Sequence, residues 1–275
     1  ISIKLSALHP RYEHAKRARV LAELTPRVLQ LAQRAKGYGI GLTIDAEEAD
    51  RLELSLDVIE AAWTDASLAG WNGFGIVVQA YQKRAPAVID WIADLARRHG
   101  RRIPVRLVKG AYWDSEVKRA QVDGLPGYPV FTRKPSTDVS YQANAARLLS
   151  NTDAIYPMFA THNAQTIAAI HRMAAALLPD TSPSGRGRNG AAVSGEGTEH
   201  LDGDARLAPS SAPSGHLLPL AGEGKKHAYE FQKLHGMGDD LYAEVIPADR
   251  LDVPCRVYAP VGSHEDLLPY LVRRL

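Results

Sequence analysis

Arg106-Leu-Val-Lys-Gly-Ala-Tyr-Trp-Asp-Ser-Glu116 decides the reading of this chain. Residues 105–108 form an apolar run of strand length, Gly110 supplies a turn, and a helix follows. Strand, tight turn and helix make one unit of an α/β fold. Arg106 lies among apolar neighbours, where a guanidinium is costly unless it meets an anion or an acceptor. Lys109, Tyr112 and Trp113 follow at the C-terminal end of the strand, where α/β proteins place their chemistry.

The same unit recurs on either side. Residues 1–8 read as a strand containing Lys4, and 12–36 as a helix with Val20, Leu21, Leu24, Val28, Leu29 and Leu31 at helical spacing. A strand over 41–46 ends at Asp45 and precedes a helix over 52–68. A third strand, 74–81, carries Gln79; a helix over 85–99 leads to the fourth, 103–108. The fifth, 156–163, ends Thr161-His162-Asn163 and is followed by a helix over 164–178. The sixth, 229–235, carries Gln232, and the seventh, 254–261, carries Tyr258.

Strands alternating with amphipathic helices predict a parallel sheet, and polar groups at the strand ends predict a (β/α)8 barrel of the TIM type. Seven strands are read. The expectation is an incomplete barrel, cut from a longer protein, whose first strand precedes Ile1.

Composition agrees with one enzyme-sized domain: 275 residues, 45% hydrophobic, net charge +2. That charge gives no general call for nucleic acid. No apolar run reaches the roughly 18 residues of a membrane span, and no signal peptide is visible. The single cysteine, Cys255, reads as a small buried strand residue and fits a reducing cytoplasm. The histidines lack metal-ligand spacing, and no G-x-G-x-x-G follows a strand.

Residues 179–226 break the pattern. They are rich in Gly, Pro and Ser, hold no aromatic residue and show no sustained period. Such a segment buries too little apolar surface to offset its ordering entropy, so it reads as a disordered insertion; a partner-binding loop is the alternative. The chain thus divides into 1–178, the first part of the barrel; 179–226; and 227–275, its last part.

Several motifs together resemble the proline dehydrogenase domain of the bifunctional proline utilization A (PutA) flavoenzymes. They are Ile3-Lys-Leu-Ser-Ala-Leu-His-Pro-Arg-Tyr12, Thr43-Ile-Asp-Ala-Glu-Glu48, Arg106 to Glu116, Phe159-Ala-Thr-His-Asn163, Phe231 with Leu234-His-Gly-Met-Gly238, and Arg256-Val-Tyr-Ala-Pro-Val-Gly262 with Tyr270-Leu-Val-Arg-Arg274. The resemblance covers all but 179–226. It implies FAD-dependent oxidation of L-proline to 1-pyrroline-5-carboxylate, with electrons passed to membrane quinone. It also implies a cytoplasmic parent, peripherally associated with the membrane, that carries a pyrroline-5-carboxylate dehydrogenase domain. The parent's oligomeric state stays open.

The resemblance carries over residue by residue. Arg273 and Arg274 match a carboxylate-binding pair on the last helix, and arginine's planar fork suits a carboxylate. Lys4 matches a second cation near that carboxylate, and Asp45 an aspartate that orients it. Tyr112, Tyr258 and Leu234 match walls around the proline ring. Arg106 matches the residue near the reactive flavin nitrogen. Gln79, Val108, Gly110, Ala111 and Trp113 match further flavin contacts, as do Thr132, Thr161, His162, Asn163 and Gln232. No metal is implied. A family glutamate falls beyond Leu275. Two other classes remain: a Schiff-base aldolase using Lys4 or Lys109, and an inactive remnant.

Overall fold

The computed structural model describes residues 1–178 and 227–262. Seven strands form one parallel sheet in sequence order: β1 (Ser2–Ile3), β2 (Leu42–Ile44), β3 (Phe74–Gln79), β4 (Ile103–Val108), β5 (Ile155–Ala160), β6 (Glu230–Leu234) and β7 (Cys255–Tyr258). The α-helices are α1 (Arg17–Gly37), α2 (Leu52–Trp63), α3 (Ala85–Arg98), α4 (Trp113–Val122), α5 (Lys134–Leu149), α6 (Ala164–Leu177) and α7 (Asp239–Ala243). The α/β class and the parallel, sequential strand order are as the sequence predicts. Among the described residues β1 and β7 each pair with a single neighbour.

The strands are shorter than their apolar runs. The first is two residues long because Leu5–Ala7 coil into a 3-10 turn directly after it. The stretch between α4 and β5, given no element from the sequence, contains α5. That helix starts with Pro135 in its first turn, a favoured place because the missing N–H needs no partner there.

Side chains alternate across β4. Ile103, Val105 and Leu107 are fully buried in the main apolar core. Arg106 and Val108, with the opposite direction, face the inner side of the curled sheet. Burial on both faces explains the unbroken apolar runs. Helix α3 shows the matching logic: Val88, Ile89, Ile92, Ala93 and Ala96 recur at helical spacing and are buried, and the helix runs out just before Gly100 at φ +60°.

Helix α2 presents acids to three surrounding arginines. Arg84 meets Glu53 at 2.9 Å, Arg17 meets Asp57 at 2.7 Å, and Arg98 meets Glu60 at 3.4 Å. Inside the sheet, below the strand ends, Arg256 forks onto the buried Glu230 with bonds of 2.8 and 2.9 Å. No helix among the described residues is long and apolar enough to cross a membrane.

Candidate active site

The C-terminal ends of the strands surround an open cleft of about 760 Å³. Ordinary small-molecule pockets are roughly 300–1,000 Å³, so this cleft lies toward the upper end of that range. It is lined by Lys4, Asp45, Gln79, Arg106, Val108, Gly110, Ala111 and Tyr112 on one side. Thr161, His162, Asn163, Leu234 and Tyr258 line the other. The sequence singles out each of these. It misses Ala46, Val77 and Ala160, whose only signal is their place next to marked residues.

Two cations anchor the centre. Arg106 reaches from β4 across the Val77 position of β3 and donates to Asp45 Oδ1 at 3.0 Å. Its guanidinium carbon lies 5.3 Å from the Tyr258 ring centroid, a stacking position for a cation. Arg106 Nε is buried without a hydrogen-bond partner. Lys4 Nζ donates to the Tyr112 hydroxyl at 2.8 Å. Lys109, also in the lining, is ion-paired with Asp138 at 2.5 Å, and Asp138 takes Lys134 as well at 2.7 Å. Hydrogen bonds from Lys109 and then Lys134 hold the Asp138 carboxyl below the usual carboxylate range. Asp138 lies on the unpredicted α5, which is why no motif marked it.

The loops that carry these groups are tied together. Gln79 is buried, and its amide spans two of them: Nε2 donates to Glu47 O at 2.8 Å, and Oε1 accepts Ala111 N–H at 3.1 Å. Glu47 Oε1 accepts Ser6 N–H at 2.9 Å. Glu116, buried on α4, accepts Ala49 N–H at 2.6 Å. Burial raises the Glu116 carboxyl above its usual 4.5, outweighing that bond. Gly110 sits at φ +141°, and a Cβ there would lie 2.5 Å from the Tyr81 ring. Tyr81 therefore forms the floor of the Gly110–Tyr112 turn. This gives the glycine a requirement within the chain beside any close approach of a ligand.

The opposite wall combines structure with exposure to the cleft. Asn163 caps α6, accepting Thr166 N–H at 2.9 Å. Thr161 Oγ1 accepts Asn163 N–H at 3.2 Å. His162 Nε2 accepts Leu234 N–H at 3.0 Å. An accepting Nε2 places the ring proton of a neutral imidazole on Nδ1.

Three marked residues lie outside the lining. Trp113 Nε1 donates to Phe131 O at 3.0 Å, and Thr132 is exposed on the segment before α5. Gln232 lies lower, giving Nε2 to Glu230 at 2.8 Å while its Oε1 is buried without a partner. Arg273, Arg274 and the 179–226 segment lie outside the described residues. Among the described residues no group of three potential ligands could hold a metal ion.

The chemistry on offer is recognition of an anion by fixed cations, with aromatic walls and several backbone and amide groups for a large polar ligand. The sequence profile of the proline dehydrogenase family matches residues 1–182 and 215–275. The unmatched part, 183–214, falls inside the segment read as an insertion. The chain is 54% identical over 275 residues to the bifunctional protein PutA of Rhizobium meliloti, covering all of this chain and 18% of that protein. It is 51% identical over 278 residues to PutA of Escherichia coli K12, again 18% of that protein. A crystal structure of a point mutant of Bradyrhizobium japonicum PutA superposes with TM-score 0.79 at 50% identity, covering all of this chain and 23% of that one.

Proposed function

This chain belongs to the proline dehydrogenase family, as a PutA-type proline dehydrogenase domain, and from that premise we propose that its cleft binds FAD and L-proline and oxidises L-proline to 1-pyrroline-5-carboxylate. The observation that carries the proposal is the Asp45–Arg106 pair beside Lys4–Tyr112. One set of cations serves the proline carboxylate, and Arg106 keeps an unpartnered buried Nε for the cofactor. That orphaned donor, in a cleft larger than a proline molecule needs, fits a flavin.

When bound, FAD would supply the two-electron acceptor for the hydride leaving the proline ring. The residues do the rest. Lys4, with Arg273 and Arg274, holds the substrate carboxylate. Tyr112, Tyr258 and Leu234 flank the ring and exclude water. Asp45 fixes the guanidinium of Arg106, whose positive charge stabilises negative charge arriving at the cofactor. Gln79, Val108, Gly110, Ala111, Thr161, His162 and Asn163 contact the cofactor from the lining, and Trp113, Thr132 and Gln232 complete its surroundings.

The reading extends to a quinone at the membrane surface as electron acceptor and to a cytoplasmic parent protein joined to a pyrroline-5-carboxylate dehydrogenase domain. The chain spans 18% of the length of its PutA relatives, so these partners belong to the longer protein. The competing Schiff-base aldolase is disfavoured as far as it would use Lys109, which is ion-paired with Asp138 where a nucleophilic amine would have to be neutral.

The test is direct. The natural full-length protein, purified with FAD, should absorb as a flavoprotein and bleach when L-proline is added without air. A protein that takes up no FAD would overturn the proposal.

A further inference from the structure

Ser2 has no place in the substrate or cofactor assignments above, yet it is bonded to their centre. The β1–β2 register sets Ser2 opposite Thr43 and Ile3 opposite Ile44, and Asp45 N–H continues the ladder to Ile3 O at 2.8 Å. Along each strand alternate residues share a face, so Ser2 and Asp45 lie on the same side of the sheet as Lys4. Ser2 Oγ is 2.6 Å from Asp45 Oδ1 and 3.4 Å from Thr43 O. One hydroxyl proton cannot serve both well, and the shorter contact to a charged acceptor takes it.

The same Oδ1 accepts Arg106 Nη1 at 3.0 Å. The oxygen is therefore pinned from two directions, by a hydroxyl on β1 and by a guanidinium on β4. The Asp45 side chain is 27% exposed, so packing alone does not fix its rotamer. Without the hydroxyl, Arg106 would be its only side-chain bond at that oxygen among the described residues. The carboxylate could then turn, and the Arg106 guanidinium in the cleft lining would turn with it.

We propose that Ser2 is a positioning residue: through Asp45 it fixes the orientation of Arg106 toward the cofactor. The proposal rests on the reading of the cleft as an FAD and proline site. It predicts that sequence changes at Ser2 act on the reaction without touching either ligand.

The test is a double-mutant cycle in the natural full-length protein, read in kcat, in the KM for proline and in the FAD dissociation constant measured by flavin fluorescence. A hydrogen bond to a charged group at a partly open site sets the scale, so Ser2→Ala should lower kcat by about 10-fold. It should weaken FAD binding and leave the KM for proline little changed. Ser2→Thr, which keeps the hydroxyl, should restore both. Ser2→Cys, of similar size but a weak donor, should behave as Ser2→Ala, and melting temperatures should show all three folded. In an Asp45→Ala background, which leaves no side-chain oxygen for the hydroxyl, Ser2→Ala should cost nothing further, because the two residues act as one unit.

Additive losses would mean that Ser2 acts through strand stability and would overturn the proposal. So would a Ser2→Ala protein matching the wild type in both kcat and FAD affinity. A wild-type protein that neither binds FAD nor oxidises proline would overturn the reading of the cleft and this proposal with it.

Discussion

Lys4, the residue after β1, donates from Nζ to the phenolic oxygen of Tyr112, the residue before α4, at 2.8 Å. The ammonium also lies 5.4 Å from the centroid of the same ring. The bond ties a cation assigned to the substrate carboxylate to an aromatic wall assigned to its ring. Tyr112→Phe keeps the wall and removes the tie. A hydrogen bond to a charged group contributes about 1.5–3 kcal/mol, so the KM for proline should rise by roughly 10-fold or more. FAD content should be unchanged. Steady-state kinetics with a dye acceptor checks this.

Gly110→Ala should be far more damaging than its size suggests. The new Cβ would meet the Tyr81 ring at 2.5 Å, at a φ of +141° that side chains rarely adopt. Strained backbone of this kind costs on the order of 1–3 kcal/mol, and the clash adds to it. A lowered melting temperature and loss of FAD by titration are the expected outcomes. Trimming the floor with Tyr81→Ala in the same protein should recover part of the loss.

Glu116 gives a pH signature. Its carboxyl is raised above 4.5 by burial, so the folded protein holds that proton more tightly than the unfolded chain. Ionising it therefore costs stability, and the cost appears as pH climbs upward from about 4.5. Glu116→Gln removes the charge and keeps an acceptor for Ala49 N–H. Its stability relative to the wild type should improve as pH rises through that window. Glu116→Ala shares that pH trend but removes the acceptor as well, so it should lie about 1–3 kcal/mol below Glu116→Gln at every pH. Melting curves from pH 4 to 8 separate the two variants.

Arg273→Met and Arg274→Met test the carboxylate clamp. Losing one desolvated charge pair costs on the order of 2–5 kcal/mol, or roughly 30- to several-thousand-fold in affinity. Proline binding should weaken while the flavin stays bound. An unchanged KM in both variants would take these residues out of the site.

Replacing residues 179–226 by a short Gly/Ser linker should leave proline oxidation within a few-fold of the wild type. Loop length enters stability only through a slowly growing closure term, and the family profile leaves 183–214 unmatched within that segment. Loss of activity on deletion would assign the segment a working role.

The strand-end chemistry was legible because a buried run ending in Arg106 and Lys109 has few other readings. Strand lengths were less so: an apolar run such as 1–8 does not distinguish a ladder from the 3-10 turn at Leu5–Ala7. Helix α5 was hidden because polar residues share its buried face. Thr137 and Asn144 are almost fully buried there, which blurs the apolar period. Asn144 Nδ2 is satisfied within the helix, by Ser140 O at 2.8 Å. Gln79 reads as a ligand contact from its place at a strand end. Its two amide bonds join loops 32 residues away on either side, and no local pattern announces such partners. Ser2 was invisible for the same reason.

The three arginine–carboxylate pairs around α2 have a consequence for behaviour in concentrated salt. All three are largely open to solvent, so counter-ions compete for them. At 1 M ionic strength attraction between exposed charges fades within about 3 Å. The Asp45–Arg106 and Glu230–Arg256 pairs are more enclosed, and enclosed pairs are screened much less. Brine should therefore weaken these surface ties of α2 to α1 and α3 while leaving the inner charges of the sheet in place. Added salt should thus cost a little stability at the surface before it touches the charges of the cleft.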